Sequence, residues 1–231
     1  MFAAVAFKPG VVAVGDGREL GARATRLRRQ RREELRPGRI PQLVLAQVRR
    51  RAAAGGVGSL AIQLAKMWGG KVIAVTSNDE KKKLAKELGA AEVIDADVTN
   101  LKSEILRANG GKPVDLVLEM VGGKTTDISL EVLAPFGRLI VYGAASRSAA
   151  QVIHPTSLMG GSKTVTGFWL AHCFGNKALL NDVIEELFKL TAAGKLKPII
   201  GGTYPLSQAT KAHQEMLARK TTGKITLDPS K

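Results

Sequence analysis

With 231 residues, 45% of them apolar but only 4% aromatic, the chain can bury one sizeable core, built mainly of Val, Ile, Leu and Ala. A single cysteine, Cys173, excludes an internal disulfide framework and a zinc site made of several cysteines. The net charge of +15 raises nucleic acid as a partner, but much of it lies in residues 1–51, which hold 13 Lys/Arg against 4 Asp/Glu.

No apolar run approaches the ~20 residues needed to cross a bilayer. Met1 to Phe7 is too short and poorly flanked for a signal peptide. The first serine is Ser59, so the Ser-rich texture of a transit peptide is missing as well. The expectation is a cytoplasmic protein.

Residues 1–51 read as a basic segment, solvated, disordered or mistranslated. Arg23 to Arg39 is nearly all charge and defines no buried face. A polyanion-binding arm is the functional alternative, with nucleic acid ranked last among the partners. Within this segment Leu43–Val48 is the nearest candidate for a first strand. Arg49, Arg50 and Arg51 would then burden its end.

From Ala52 the texture changes. Ala52–Gly58 (AAAGGVG) runs into a helix over Ser59–Trp68. Lys71–Thr76 reads as a strand, followed by helix Glu80–Leu88, capped by Asn78 or Asp79 and stopped by Gly89. Then come strand Glu92–Asp95, helix Ser103–Ala108, strand Val114–Met120, helix Thr125–Leu133 and strands Arg138–Tyr142 and Thr164–Trp169. Helix Ala178–Ala193 follows, with one apolar face. Strands and helices alternating in this way predict parallel βαβ units with right-handed crossovers.

The glycine loop carries the chemistry. Gly55 lacks a Cβ, so its backbone can approach a diphosphate closely. The helix behind it aims free N–H groups and a positive dipole end at the same place. Gly58 lets that helix pack on the sheet. The plain alternative is a turn that merely needs a positive φ. At the tip of the second strand an NAD enzyme usually carries Asp or Glu; here stand Thr76 and Ser77, followed by Lys81, Lys82 and Lys83. Hydroxyls beside an ammonium suit a 2′-phosphate and favour NADPH over NADH. At least one of the three lysines is expected to be simply solvated.

AAAGGVGSLAIQLAK, KELGAAEVID, VDLVLEMVGG, GRLIVYGAAS, TVTGFWL and GKITLDP occur in this order. They resemble the zinc-independent quinone oxidoreductases, ζ-crystallin-like members of the medium-chain dehydrogenase/reductase superfamily, from Ala52 to Pro229. The resemblance implies an α/β fold, a Rossmann-type doubly wound parallel sheet over 52–200. It implies a segment 201–231 that in the family packs on a catalytic domain, and the family's N-terminal catalytic domain itself has no counterpart in residues 1–51. A truncated or frame-shifted product is the simplest expectation.

The implied activity is metal-free hydride transfer from NADPH to a quinone or enone, with room for a homodimer. Gly55, Gly56, Val57 and Gly58 would contact the diphosphate, and Ser77 and Lys81 the 2′-phosphate. Val121 and Gly143 would lie beside the ribose and nicotinamide. Phe168 and Leu170 would present backbone groups to the carboxamide, unless they are only core strand. A nucleotide-binding remnant without catalysis is the second reading. His154, His172 and His213 do not form a zinc-spaced cluster with Cys173, so no metal is expected.

Overall fold

The computed structural model of the chain describes residues 42–46, 55–96, 99–218 and 220–231. The basic arm at 23–39, the arginines at 49–51 and the alanines at 52–54 lie outside the described residues.

Six strands form one parallel sheet. In chain order they are β1 (Gln42–Ala46), β2 (Lys71–Thr76), β3 (Glu92–Asp95), β4 (Val114–Glu119), β5 (Leu133–Val141) and β6 (Thr164–Gly167). Their spatial order is β3-β2-β1-β4-β5-β6. The order reverses between β1 and β4, which makes that junction the topological switch point of a Rossmann-type sheet. The first strand, expected within Leu43–Val48, is therefore central: Leu43 pairs with Val72 on one side and with Leu116 on the other.

Helices α1 (Gly56–Met67), α2 (Asp79–Glu87), α3 (Leu101–Ala108) and α4 (Lys124–Glu131) alternate with the first five strands. A short α5 (Pro155–Met159) precedes β6, and α6 (Lys177–Ala192) follows a 3₁₀ turn at Leu170–Cys173. Two buried clusters show why the sheet is covered on both faces. Val72 and Ala74 of β2 join Ala61, Ile62, Leu64 and Ala65 of α1, Ala85 of α2 and Val183 of α6. Ile73 and Val75, pointing the other way, join Leu101 and Ile105 of α3 and Val117 and Leu139 of the sheet. The alternation is the two-residue period of a strand buried on both faces.

A second unit follows: β7 (Ile200–Pro205) and β8 (Lys224–Asp228) pair in parallel, connected through α7 (Ala209–Leu217). No helix among the described residues is long and apolar enough to cross a membrane.

Two boundaries differ from expectation by more than two residues. Helix α1 starts at Gly56 rather than Ser59, so glycines form its first turn. Strand β5 starts at Leu133 rather than Arg138, through a register shift opposite Val114–Leu116. Pro135 and Gly137 read as a turn in the sequence. The strand absorbs them with Phe136 at φ +63°, whose N–H donates to the Gly161 carbonyl at 2.8 Å.

Leu118 is fully buried in β4 beneath α1. Leu118→Ala is expected to lower unfolding free energy by about 2–5 kcal/mol. Urea denaturation followed by circular dichroism measures it.

Candidate dinucleotide site

In a parallel sheet all strands end on one edge. The predicted site residues collect there: Ser77 follows β2, Val121 follows β4, Gly143 follows β5, Phe168 follows β6, and Gly55 precedes α1. Ligands of open α/β sheets bind outside this edge, at the switch point.

At the start of α1, Gly55 is the N-cap, in extended conformation. No side chain caps the helix and no acidic residue lies in its first turn. The first intrahelical bond runs from Ser59 N to Gly55 O, 2.9 Å. The amides of Gly56, Val57 and Gly58 thus have no carbonyl one turn back. Three donors and an uncompensated positive helix end are what a phosphate requires. Gly56 is half-buried, Val57 is exposed and Gly58 packs inward.

The tip of β2 is shaped differently. Thr76 is fully buried, and its Oγ1 is one of two buried side-chain polar atoms among the described residues without a partner. An orphaned hydroxyl at this position costs free energy unless something accepts or donates there. Ser77, next to it, is half-buried. Asn78 caps α2, its Oδ1 accepting from Lys81 N at 2.9 Å. The Lys81 side chain is buried, with only 4% of its surface exposed.

The neighbouring Lys82 is engaged elsewhere. Its Nζ donates to Asp95 Oδ2 at 2.7 Å and to Asp79 Oδ1 at 3.1 Å. Those hydrogen bonds, with Asp95 first, raise its pKa and keep it charged. Lys83 is exposed.

Beyond β4, a buried carboxylate that sequence reasoning passed over organises the loop. Glu119 is fully buried and accepts from Val121 N at 2.5 Å, from Gly122 N at 3.1 Å and from Thr126 Oγ1 at 2.7 Å. A buried carboxylate is tolerable when its lone pairs are filled in this way. The signal was visible: a lone acid at the end of the apolar run VDLVLE.

The loop after β5 presses on the same place. A Cβ on Gly143 would lie 2.9 Å from Met120 O and 3.1 Å from Met120 Cβ. Ala145 N and Ser146 N donate to the carbonyls of Met120 and Val121, at 2.9 and 2.7 Å. Gly143 is therefore needed for the close approach of two loops as well as for its position at the edge. At β6, the Phe168 N–H is spent on Val141 O at 2.9 Å, and Leu170 opens the 3₁₀ turn with 41% of its surface exposed.

The family model described as "Zinc-binding dehydrogenase" matches residues 56–192, more than half of the chain. The chain belongs to this family. Its relatives include quinone oxidoreductases of the medium-chain dehydrogenase/reductase superfamily, in agreement with the sequence resemblance. A quinone oxidoreductase of Pseudomonas aeruginosa is 36% identical over 178 residues, covering 77% of this chain and 55% of the relative. A 2-haloacrylate reductase of Burkholderia sp. is 34% identical over 180 residues, covering 77% and 54%. The crystal structure of Escherichia coli quinone oxidoreductase complexed with NADPH superposes with a TM-score of 0.72 at 31% identity, covering 86% of this chain and 60% of that one. The chain thus spans about half the length of the curated relatives it matches.

The family's description implies zinc, but the described residues do not fit it. Among them no three His, Cys, Asp or Glu side chains come together as a metal requires. His154 precedes α5, His172 and Cys173 share the 3₁₀ turn, and His213 lies on α7.

Removing the Glu119 carboxylate strands three donors at once. Glu119→Ala is expected to cost about 3 kcal/mol or more and Thr126→Val about 1–2 kcal/mol. Paired urea titrations check the order; equal losses would contradict the three-donor account.

Proposed function

We propose that the chain is the nucleotide-binding part of an NADPH-dependent oxidoreductase that reduces a quinone or an activated alkene. The observation that carries this reading is the uncapped, acid-free glycine turn at the head of α1, set at the switch point of a Rossmann-type sheet.

Gly55, Gly56, Val57 and Gly58 would hold the diphosphate by backbone amides. Ser77 and Lys81 would hold the 2′-phosphate, with the orphaned Thr76 hydroxyl alongside. Thr76 stands where a ribose-binding carboxylate would repel that phosphate. Lys82 is left out of this role because Asp95 and Asp79 already hold it. Val121 and Gly143 would flank the ribose and nicotinamide, with Phe168 and Leu170 at the carboxamide. The relative complexed with NADPH supports the choice of cofactor.

Bound NADPH supplies the hydride. What the chain's own residues contribute is position: the loops fixed by Glu119 and Gly143 form one wall beside the reacting ring. Hydride transfer also needs the acceptor held there with water excluded. Segment 201–231 is the natural seat for a catalytic domain, since Leu206 and Leu217 stand 52% and 72% exposed. The acceptor is a small molecule, handled without metal by these residues, in a cytoplasmic protein.

Two measurements test the reading. NADPH oxidation with a simple quinone is expected to be detectable; tight NADPH binding without oxidation would instead favour a nucleotide-binding remnant. Lys81→Ala is expected to weaken NADPH roughly tenfold or more, as loss of a charge-assisted contact implies, and to leave NADH unchanged. Equal weakening of both would contradict the 2′-phosphate assignment.

A further inference from the structure

The loops after β4 and β5 are joined beyond the end of the sheet. The carbonyls of Glu119, Met120 and Val121 accept from Tyr142 N, Ala145 N and Ser146 N at 2.8, 2.9 and 2.7 Å. Gly122 and Gly123 follow with φ +84° and +58°. A Cβ on Gly122 would lie 3.3 Å from Ser146 Oγ, and one on Gly123 would lie 3.0 Å from Ser148 Cβ. Asp127, in the first turn of α4, accepts from Gln151 N at 3.0 Å and ties down the later part of the second loop.

Glu119 lies at the root of this wall. Its Oε1 accepts from Val121 N and Gly122 N, and its Oε2 from Gly122 N and Thr126 Oγ1. Backbone N–H groups on both oxygens are what a carboxylate recruits. These dipoles solvate the charge without cancelling it. Among the described residues no Lys or Arg forms an ion pair with Glu119. The cations of the adjoining segments, Lys124 and Arg147, are exposed. A buried charge without a counter-ion keeps its field, because little water screens it.

Placement gives that field a target. Val121 and Gly143, read above as flanking the ribose and nicotinamide, belong to these same two loops. The nicotinamide ring is neutral in NADPH and positively charged in NADP⁺. A carboxylate fixed behind its wall therefore interacts differently with the two forms. Its charge favours the state reached once the hydride has left.

We infer that Glu119 biases the site toward the oxidised cofactor through the field of its buried carboxylate. This rests on the dinucleotide reading above. The hydrogen bonds of Glu119 keep the wall in place, and its charge distinguishes the two redox states.

Titration of the full chain and its Glu119→Gln, Glu119→Asp and Thr126→Val variants with NADP⁺, NADPH and 2′-phospho-ADP-ribose tests this. The last ligand keeps the diphosphate and the 2′-phosphate and lacks the nicotinamide. Glu119→Gln removes the charge at nearly constant size. It is expected to lower the ratio of NADP⁺ to NADPH affinity roughly three- to tenfold, the scale of one partly screened charge interaction. Affinity for 2′-phospho-ADP-ribose should stay unchanged. Glu119→Asp, which keeps the charge, should preserve the ratio. Thr126→Val should raise it, since the carboxylate remains and one screening dipole is gone.

An unchanged ratio in Glu119→Gln would overturn this inference while leaving the NADPH reading standing. So would a ratio that falls as far in Glu119→Asp as in Glu119→Gln. Should Glu119→Gln fail to fold, Thr126→Val decides: a raised ratio supports the inference, and an unchanged or lowered one overturns it. Failure of the unsubstituted chain to bind any of the three ligands would overturn both readings.

Discussion

The reversal of strand order between β1 and β4 is the constraint from which the site follows. Right-handed crossovers place α1 and α2 on one face when the chain steps from β1 to β2 to β3. The return to β4 puts α3 on the other face, as the two separate buried clusters record. Neighbouring loops at the carboxyl edge then diverge at the junction and leave a crevice. The glycine turn opens at that point, and the loops after β4 and β5 form the adjoining wall.

What makes the crevice suited to an anion is the set of groups left unsatisfied. The head of α1 carries neither a capping side chain nor an acid, and Thr76 buries a hydroxyl without a partner. Three other helices are treated otherwise: α2, α3 and α6 are each capped by an asparagine side chain, Asn78, Asn100 and Asn176. By contrast, the loop after β4 is tied down, since Glu119 gathers the Val121 and Gly122 amides and the Thr126 hydroxyl. Rigid wall and open cradle are complementary requirements of a site that must position a cofactor it does not make covalently.

Local signals account for what was legible in the sequence. Lys71–Thr76 and Glu92–Asp95 are β-branched runs bounded by Gly, Asn and Asp, and they form strands at those bounds. Asn78 caps α2 because its short amide carbonyl reaches the Lys81 N–H. Non-local features were not legible. Gln63 and Lys197 meet across 134 positions, and Lys224 reaches Gly56 only through the fold of the whole C-terminal unit. The start of β5 was hidden by Pro135 and Gly137, which look like a turn and are absorbed in a bulge. Glu119 could have been singled out, since an acid at the end of an apolar strand demands partners.

Hydrogen–deuterium exchange of the full chain with and without NADPH most directly tests whether the glycine turn is the cradle. The account predicts slowed exchange at the amides of Gly56 to Ser59 and around Ser77. Unchanged exchange at those amides under saturating NADPH would contradict it.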